Sequence, residues 1–203
     1  MQGGTKEVEI LQYLSGLTSP TNHTIRPIRV WPIQGGSIIS MPTAGGWLTS
    51  LRKLSVHLWS ASLQLFEAVK FMHDHGVAHL DLKPQNIMIP LDYGPLTIID
   101  FSLAVRVTGL GQMFTGLVGT EGYIAPEVNQ MTYNPIRADL WSSGRVIEEL
   151  CTMCDQSPGR RRLLEIASLL MDDDPEKRPT MYQVLQWTSE HDSESPFGVE
   201  SFR

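Results

Sequence analysis

The sequence predicts an α+β chain with one helix and a short β-hairpin at its N-terminal end and a mainly helical body after them. Three observations carry that prediction. From about Lys6 to Leu14, Val8, Leu11 and Leu14 recur at three-residue steps and Ile10 widens the stripe, which is the period of an amphipathic helix. IRPIRVWPI and SIISM read as two short strands joined at Gly35 and Gly36. From about Val56 to His75, Leu58, Leu65, Val69 and Met72 form one apolar stripe and Trp59, Leu63 and Phe66 a second. That helix is buried around much of its circumference.

The connecting stretches follow from turn chemistry. Ser15 to Asn22 is rich in turn formers, with Pro20, Thr21 and Asn22 marking a loop. AGGWLTSLRKL is predicted to turn into a short helix before the long one, which Gly76 ends as a C-cap. His73 and His75 read as surface or dipole-compensating residues of that helix end. Asn86 to Ile89 enters a strand, Leu91 to Pro95 makes a turn, and LTIID leads to Asp100. Further on, RRRLLEIASLLM is a single helix whose arginine run, Arg160 to Arg162, reads as a solvated face, with binding of acidic partners as the other reading. Thr180 to Trp187 is the closing helix, and the polar stretch 189–203 is predicted to be a disordered tail.

Composition bounds the function. A chain of 203 residues is long enough for a proper core, in one domain or a modest two-lobed one. Its net charge of -6 argues against nucleic acid or an anionic membrane as partner. No apolar run reaches the length of a membrane span, and MQGGTKEVEI lacks the apolar core of a signal peptide, so an intracellular, cytoplasmic protein is the expectation. The 2 cysteines, Cys151 and Cys154, are spaced as CTMC; with no second pair to complete a zinc site, they read as reduced thiols.

The chemistry concentrates at His79 to Asn86, HLDLKPQN, and at Asp100 in TIIDFS. This puts an aspartate, a lysine and an asparagine on one tight loop, with a second aspartate across a hairpin. Mg²⁺ takes oxygen ligands, commonly one or two carboxylates completed by phosphates and water, so Asn86 and Asp100 suit it. Asp81 is then free to accept or orient a hydroxyl proton, while Lys83 offsets charge on a phosphate. Phosphoryl transfer to an alcohol is the reaction these residues support.

The spacing resembles the catalytic loop and metal-binding motif of eukaryotic protein kinases of the Ser/Thr type, and the resemblance recurs downstream. GTEGYIAPE (119–127) resembles the end of an activation segment, ADLWSSG (138–144) the helix that follows, and DPEKRP (174–179) the late arginine motif. The resemblance implies a kinase-like fold with a partial small lobe and hinge at 1–43, a large catalytic lobe at 44–188 and the tail beyond. It implies ATP and Mg²⁺ as cofactors, with Met41 and Thr43 at the hinge and Met88 under the adenine. It also implies that Thr120 hydrogen-bonds Asp81 and Lys83 and positions a protein Ser or Thr acceptor. Structural support would come from Glu7, His79 stacked with Phe101, the Glu127–Arg178 pair and Asp139, read as a helix cap that also accepts hydrogen bonds from the catalytic loop.

The departures from the family pattern matter as much. Only Met1 to Thr5 precede the first helix here, so the glycine-rich hairpin and the lysine strand that would pair with Glu7 are lacking, and Lys6 beside Glu7 cannot serve. The reading is a family member truncated at its N-terminus, with the hairpin left uncovered for a partner protein. Leu80 stands where many kinases carry an arginine that binds a phosphorylated activation segment, so no switching by that route is expected. Ser102 replaces a usual glycine. A catalytically inactive kinase-like scaffold is the alternative. A small-molecule phosphotransferase of the aminoglycoside or choline type is disfavoured by GTEGYIAPE with Arg178 and by ADLWSSG.

Overall fold

The computed structural model describes residues 3–192 apart from Ala44, Leu110, Met131 and Asp155. Helix α1, Gly3–Ser15, turns Ile10, Leu11 and Leu14 fully inward, as the three-residue steps required. Asn22 holds its C-terminal end, donating from Nδ2 to the carbonyls of Leu14 and Leu17. Strands β1, Arg29–Ile33, and β2, Gly36–Ser40, form an antiparallel hairpin in which Trp31 faces Ile38 and Val30 faces Ile39. Successive side chains point to opposite faces of a strand. Ile39 accordingly packs on the core while Trp31, Ile33 and Ile38 are 42%, 53% and 53% exposed on the other face.

The stretch predicted to be a short helix before the long one differs. Gly46–Trp47 is a strand, β3, paired with Ile89 and Met88, and only Leu48–Ser50 makes a helical turn. The reason is local. Gly45 adopts φ +104, and a Cβ there would meet the Ile89 carbonyl at 2.4 Å, so two glycines let the backbone run beside the next strand instead of coiling.

Helix α2, Leu54–Asp74, buries Leu58, Leu65, Phe66, Val69 and Met72, each contributing about 1.5–3 kcal/mol by its removal from water. Short strands follow: β4, Val77–Ala78, β5, Ile87–Ile89, β6, Thr97–Ile98, and β7, Val105–Arg106. They pair as β3-β5-β6 and as β4-β7. These two small sheets carry the loop 79–86 between them. The segment after β7 contains β8, Phe114–Thr115, which pairs with β9, Thr132–Tyr133.

Helix α3, Pro135–Thr152, crosses the body and packs on α2 and on α4, Arg160–Leu170. Its cap is Asn134, whose side chain accepts from the N–H groups of Ile136 and Arg137. Asp139 lies inside the helix, one turn after the start, and does not cap it. Helix α5, Met181–Asp192, runs past the predicted end of the closing helix, so positions 189–192 of the expected tail are helical, and 193–203 lie outside the described residues.

Arg160 is not simply solvated, since its Nε donates to the Cys151 carbonyl; Arg162 pairs with Glu165. Both cysteines are buried and neither is in a disulfide, and burial pushes the Cys151 thiol up to about 11, which keeps it protonated and unreactive. No helix among the described residues is long and apolar enough to cross a membrane.

Candidate active site

The loop between β4 and β5 is hung from α3. Asp139, fully buried, accepts the backbone N–H of His79 at 2.6 Å through Oδ2 and that of Leu80 at 2.7 Å through Oδ1. The same Oδ2 accepts from His73 Nε2 at 3.2 Å. Hydrogen bonds to an ionised group are the strong ones, and here they fix backbone atoms directly. His73 is therefore no surface residue. It lies four positions after Val69 on the buried stripe of α2, and the helical period applied to a histidine as well as to aliphatics would have found it.

His79 is buried, with Nε2 donating to the Ile99 carbonyl at 3.0 Å and Nδ1 accepting the Asp81 N–H at 3.2 Å. Its ring meets Phe101 edge-on at 4.9 Å between centroids. Desolvation by burial holds its pKa below the ordinary histidine value, so the imidazole is neutral and binds strand end to loop without acting as a base.

Asp81 is 7% exposed and its carboxylate is enclosed by donors. Thr120 Oγ1 donates to Oδ1 at 2.7 Å, and Lys83 Nζ and Asn86 Nδ2 donate to Oδ2 at 2.8 and 2.9 Å. Lys83 also donates to Thr120 Oγ1 at 2.7 Å, which closes a three-residue ring. Gly119 makes Thr120's approach possible: it adopts φ +102, and a Cβ there would lie 2.9 Å from the Leu80 carbonyl.

Asn86 spends its amide hydrogens on Asp81, on the backbone carbonyl and on the carboxylate, both at 2.9 Å, which leaves its side-chain oxygen as the group to offer a cation. Its own backbone carbonyl accepts from Ile99, so the β5–β6 register sets Asn86 opposite the residue before Asp100. Asp100 adopts φ +62, and its Oδ1 accepts the Ser102 hydroxyl at 2.6 Å. The serine that replaces glycine thus tethers the carboxylate beside it. An amide oxygen and a carboxylate are hard oxygen donors, so the donor set fits Mg²⁺.

Beside these groups lies a cavity of about 360 Å³, lined by Glu7, Ile25, Met41, Pro42, Thr43, Met88, Ile99 and Asp100. Every residue named from the sequence as hinge, adenine floor and helix glutamate is on its wall. Its charge is one-sided: two carboxylates and, among the described lining residues, no cation. Desolvation and then the neighbouring Asp100 raise the Glu7 pKa above 4.5, although the Phe101 N–H bonds to it.

The outer wall of the loop is apolar. Leu80, at φ +64 and 6% exposed, clusters with Val105, Ala125, Val128 and Tyr133, and Phe114 and Val118 pack against them. The segment from 119 to 127 is tied to α3 and beyond. Ser142 Oγ donates to the Tyr123 carbonyl at 2.7 Å, Arg145 Nε to the Gly122 carbonyl at 3.1 Å, and the Tyr123 hydroxyl to Glu149. Arg178 grips Glu127 with two parallel bonds of 2.6 and 2.8 Å, its side chain wholly buried. None of the α3 contacts to 122 and 123 was legible in the sequence, because they join residues about twenty or more positions apart, two of them through backbone carbonyls.

Comparison with known proteins bears on the same stretch. A family model described as the protein kinase domain matches residues 54–162, from the start of α2 into α4. CBL-interacting protein kinase 29 of Oryza sativa subsp. japonica is 37% identical over 114 residues, 56% of this chain and 24% of that protein. Serine/threonine-protein kinase PEPKR2 of Arabidopsis thaliana is 30% identical over 149 residues, 71% of this chain and 31% of that protein. Sperm motility kinase 3A of Mus musculus is 33% identical over 151 residues, 63% of this chain and 30% of that protein. The chain spans less than a third of the length of each of these relatives. With more than half of its residues under the family model, and with loop, segment and arginine in the order the motifs require, this chain belongs to the protein kinase domain family.

Proposed function

We propose that this chain carries the phosphotransfer site of a Ser/Thr protein kinase, moving the ATP γ-phosphate to a protein Ser or Thr hydroxyl. The observation that carries the reading is the ring of Asp81, Lys83 and Thr120. Asp81 orients the acceptor hydroxyl and takes its proton, Lys83 offsets negative charge on the transferring phosphate, and Thr120 holds both at the spacing the reaction needs. Met41, Thr43 and Met88 line the adenine cavity, and Asn86 and Asp100 would hold Mg²⁺. The metal supplies charge neutralisation of the phosphates when bound. The apolar cluster around Leu80 keeps the activation segment in place without a phosphate.

A second reading, a kinase-like binding module without catalysis, is favoured by two observations. The cavity has carboxylates and no cation among its described lining residues, and the outer face of β1–β2 exposes Trp31, Ile33 and Ile38, a surface that a partner protein would cover. Calorimetry of ATP binding with and without Mg²⁺, on this chain and on Asp100→Asn, separates the two. Binding that needs the metal and is lost in the variant supports the enzyme, and transfer to a serine peptide is then measured. No binding by a chain that melts cooperatively overturns it and leaves the module.

A further inference from the structure

Trp47 stands beside the candidate active site and has no part in the contacts described so far. It is 55% exposed, yet its backbone is pinned, because β3 pairs it with Met88 and the next residue, Leu48, is fully buried. Residues directly opposite in an antiparallel pair point to the same face, with Cβ atoms about 4.5–5.5 Å apart. Burial agrees with that pleat: Ile87, Ile89 and Ile98 face the core, while Trp47, Met88 and Thr97 share the other face. Met88 lines the cavity that Met41 and Asp100 also line. The indole is therefore at the rim of that cavity.

Strand β5 sets its place along the site. Met88 marks where the base would lie, and Asn86, two residues earlier and about 7 Å away along the strand, marks the metal and the phosphates. The sugar that joins base to phosphates has to cross this strip. Strand β3 packs against the turn Pro84–Asn86 as well as against β5, so Trp47 flanks the strip. An indole offers an apolar face and one N–H donor, and it has no acceptor. A carboxylate in such a place accepts hydrogen bonds from the hydroxyls of a ribose, and an indole cannot.

We propose that Trp47 is the sugar-side wall of the nucleotide site and determines its sugar selectivity. The face of the indole meets the sugar, no acceptor from this residue holds the 2′-hydroxyl, and ATP and deoxy-ATP are bound alike. The proposal rests on the nucleotide reading given above, and Met88 reports on that reading separately, so the two can fail independently.

The test is NMR of the whole chain carrying fluorotryptophan and methionine methyl labels, with the Trp47 resonance assigned through Trp47→Phe. ATP and deoxy-ATP, each with Mg²⁺, are titrated separately. The expected result is a saturable shift of the Trp47 fluorine and of the Met88 methyl at the same concentrations, with affinities for the two nucleotides equal to within about twofold. Trp47→Ala should weaken both nucleotides by about three- to tenfold, the range of one aromatic contact. Trp47→Glu, which supplies the acceptor, should open a preference for ATP over deoxy-ATP of about fivefold or more. A Met88 shift with the Trp47 fluorine unmoved, or deoxy-ATP bound more than about fivefold more weakly by the parent chain, overturns the proposal and leaves the nucleotide reading standing. A Trp47→Glu chain that melts like the parent and binds the two nucleotides alike does the same. No shift at either residue overturns both.

Discussion

The two halves of the candidate site are built in opposite ways. On the catalytic-loop side, Asp81 accepts from Thr120, Lys83 and Asn86, and the loop backbone hangs on buried Asp139. On the cavity side, Glu7 and Asp100 face one another with no described cation lining the space. One half is a closed network that needs nothing added to hold its shape. The other sets two carboxylates side by side with no described cation between them. Preorganised charge is the larger part of phosphoryl-transfer catalysis, so the contrast separates what this chain brings from what a ligand must bring.

The largest expected effect tests the closed half. Asp81→Asn should lower phosphotransfer to a serine peptide by about 10²–10⁴-fold, the usual worth of a general base, with little change in melting temperature. A comparable loss from Glu7→Gln would break the contrast. Next is Glu127→Gln, which leaves the wholly buried Arg178 without its ionised partner. It should cost about 3–5 kcal/mol in urea unfolding. A cost under 1 kcal/mol would mean that the Asp172 and Arg137 carbonyls, which Arg178 also reaches, suffice to hold the segment.

Smaller effects sharpen the metal-dependent half. Ser102→Gly frees the Asp100 carboxylate from its 2.6 Å hydrogen bond and loosens the loop. It should weaken Mn²⁺ binding, read by water-proton relaxation, by a few-fold, since one hydrogen bond to a charged group is worth about 1.5–3 kcal/mol before exposure is discounted. Unchanged or tighter binding would show the serine to be a competitor of the metal and not a tether.

The pH responses of the two halves should carry opposite signs. His79 has a depressed folded pKa, so the unfolded chain takes up the proton first, and stability present above the ordinary value of 6.5 is lost as pH falls through and below it. Glu7 has a raised folded pKa, so the folded chain holds its proton longer, and stability declines as pH rises through the window that opens at 4.5. Urea midpoints across this range should fall less on acidification in His79→Gln than in the parent chain. Glu7→Gln should give the smallest change, a slight stabilisation near neutral pH. A destabilised Glu7→Gln would show that the bond from the Phe101 N–H outweighs the burial and repulsion.

The order of chemistry-bearing residues could be read directly, because Asp81, Lys83 and Asn86 lie within one turn-bounded loop and short-range geometry alone brings them together. The apolar periods of α1 and α2 were equally legible, since burial of one face imposes them on the sequence. Other readings failed for physical reasons visible at single residues. The stretch from Gly45 has the apolar content of a helix, yet β5 recruits it as a strand through a backbone approach that only glycine allows. Asp139 stands near a helix start, where caps are common, but Asn134 caps the helix; only the other half of that expectation holds, since Asp139 reaches sixty residues back to accept from the loop. Ser102 signals only lost flexibility until its hydroxyl is found on Asp100.

The sequence by itself determined which atoms make up the candidate site: a carboxylate and an ammonium two residues apart, an amide after them, and a second carboxylate at the next strand end. Side-chain chemistry and local spacing are properties of the chain. The tertiary structure decided how those atoms are held: the loop hangs on Asp139 and Thr120 reaches Asp81 across 39 residues, contacts that local spacing does not give and only the resemblance implied, and Glu7 is set against Asp100. Those contacts come from packing of α2 on α3 and of α1 on the hairpin. Packing is a collective result of burying many apolar faces at once, and no single stretch of sequence encodes it.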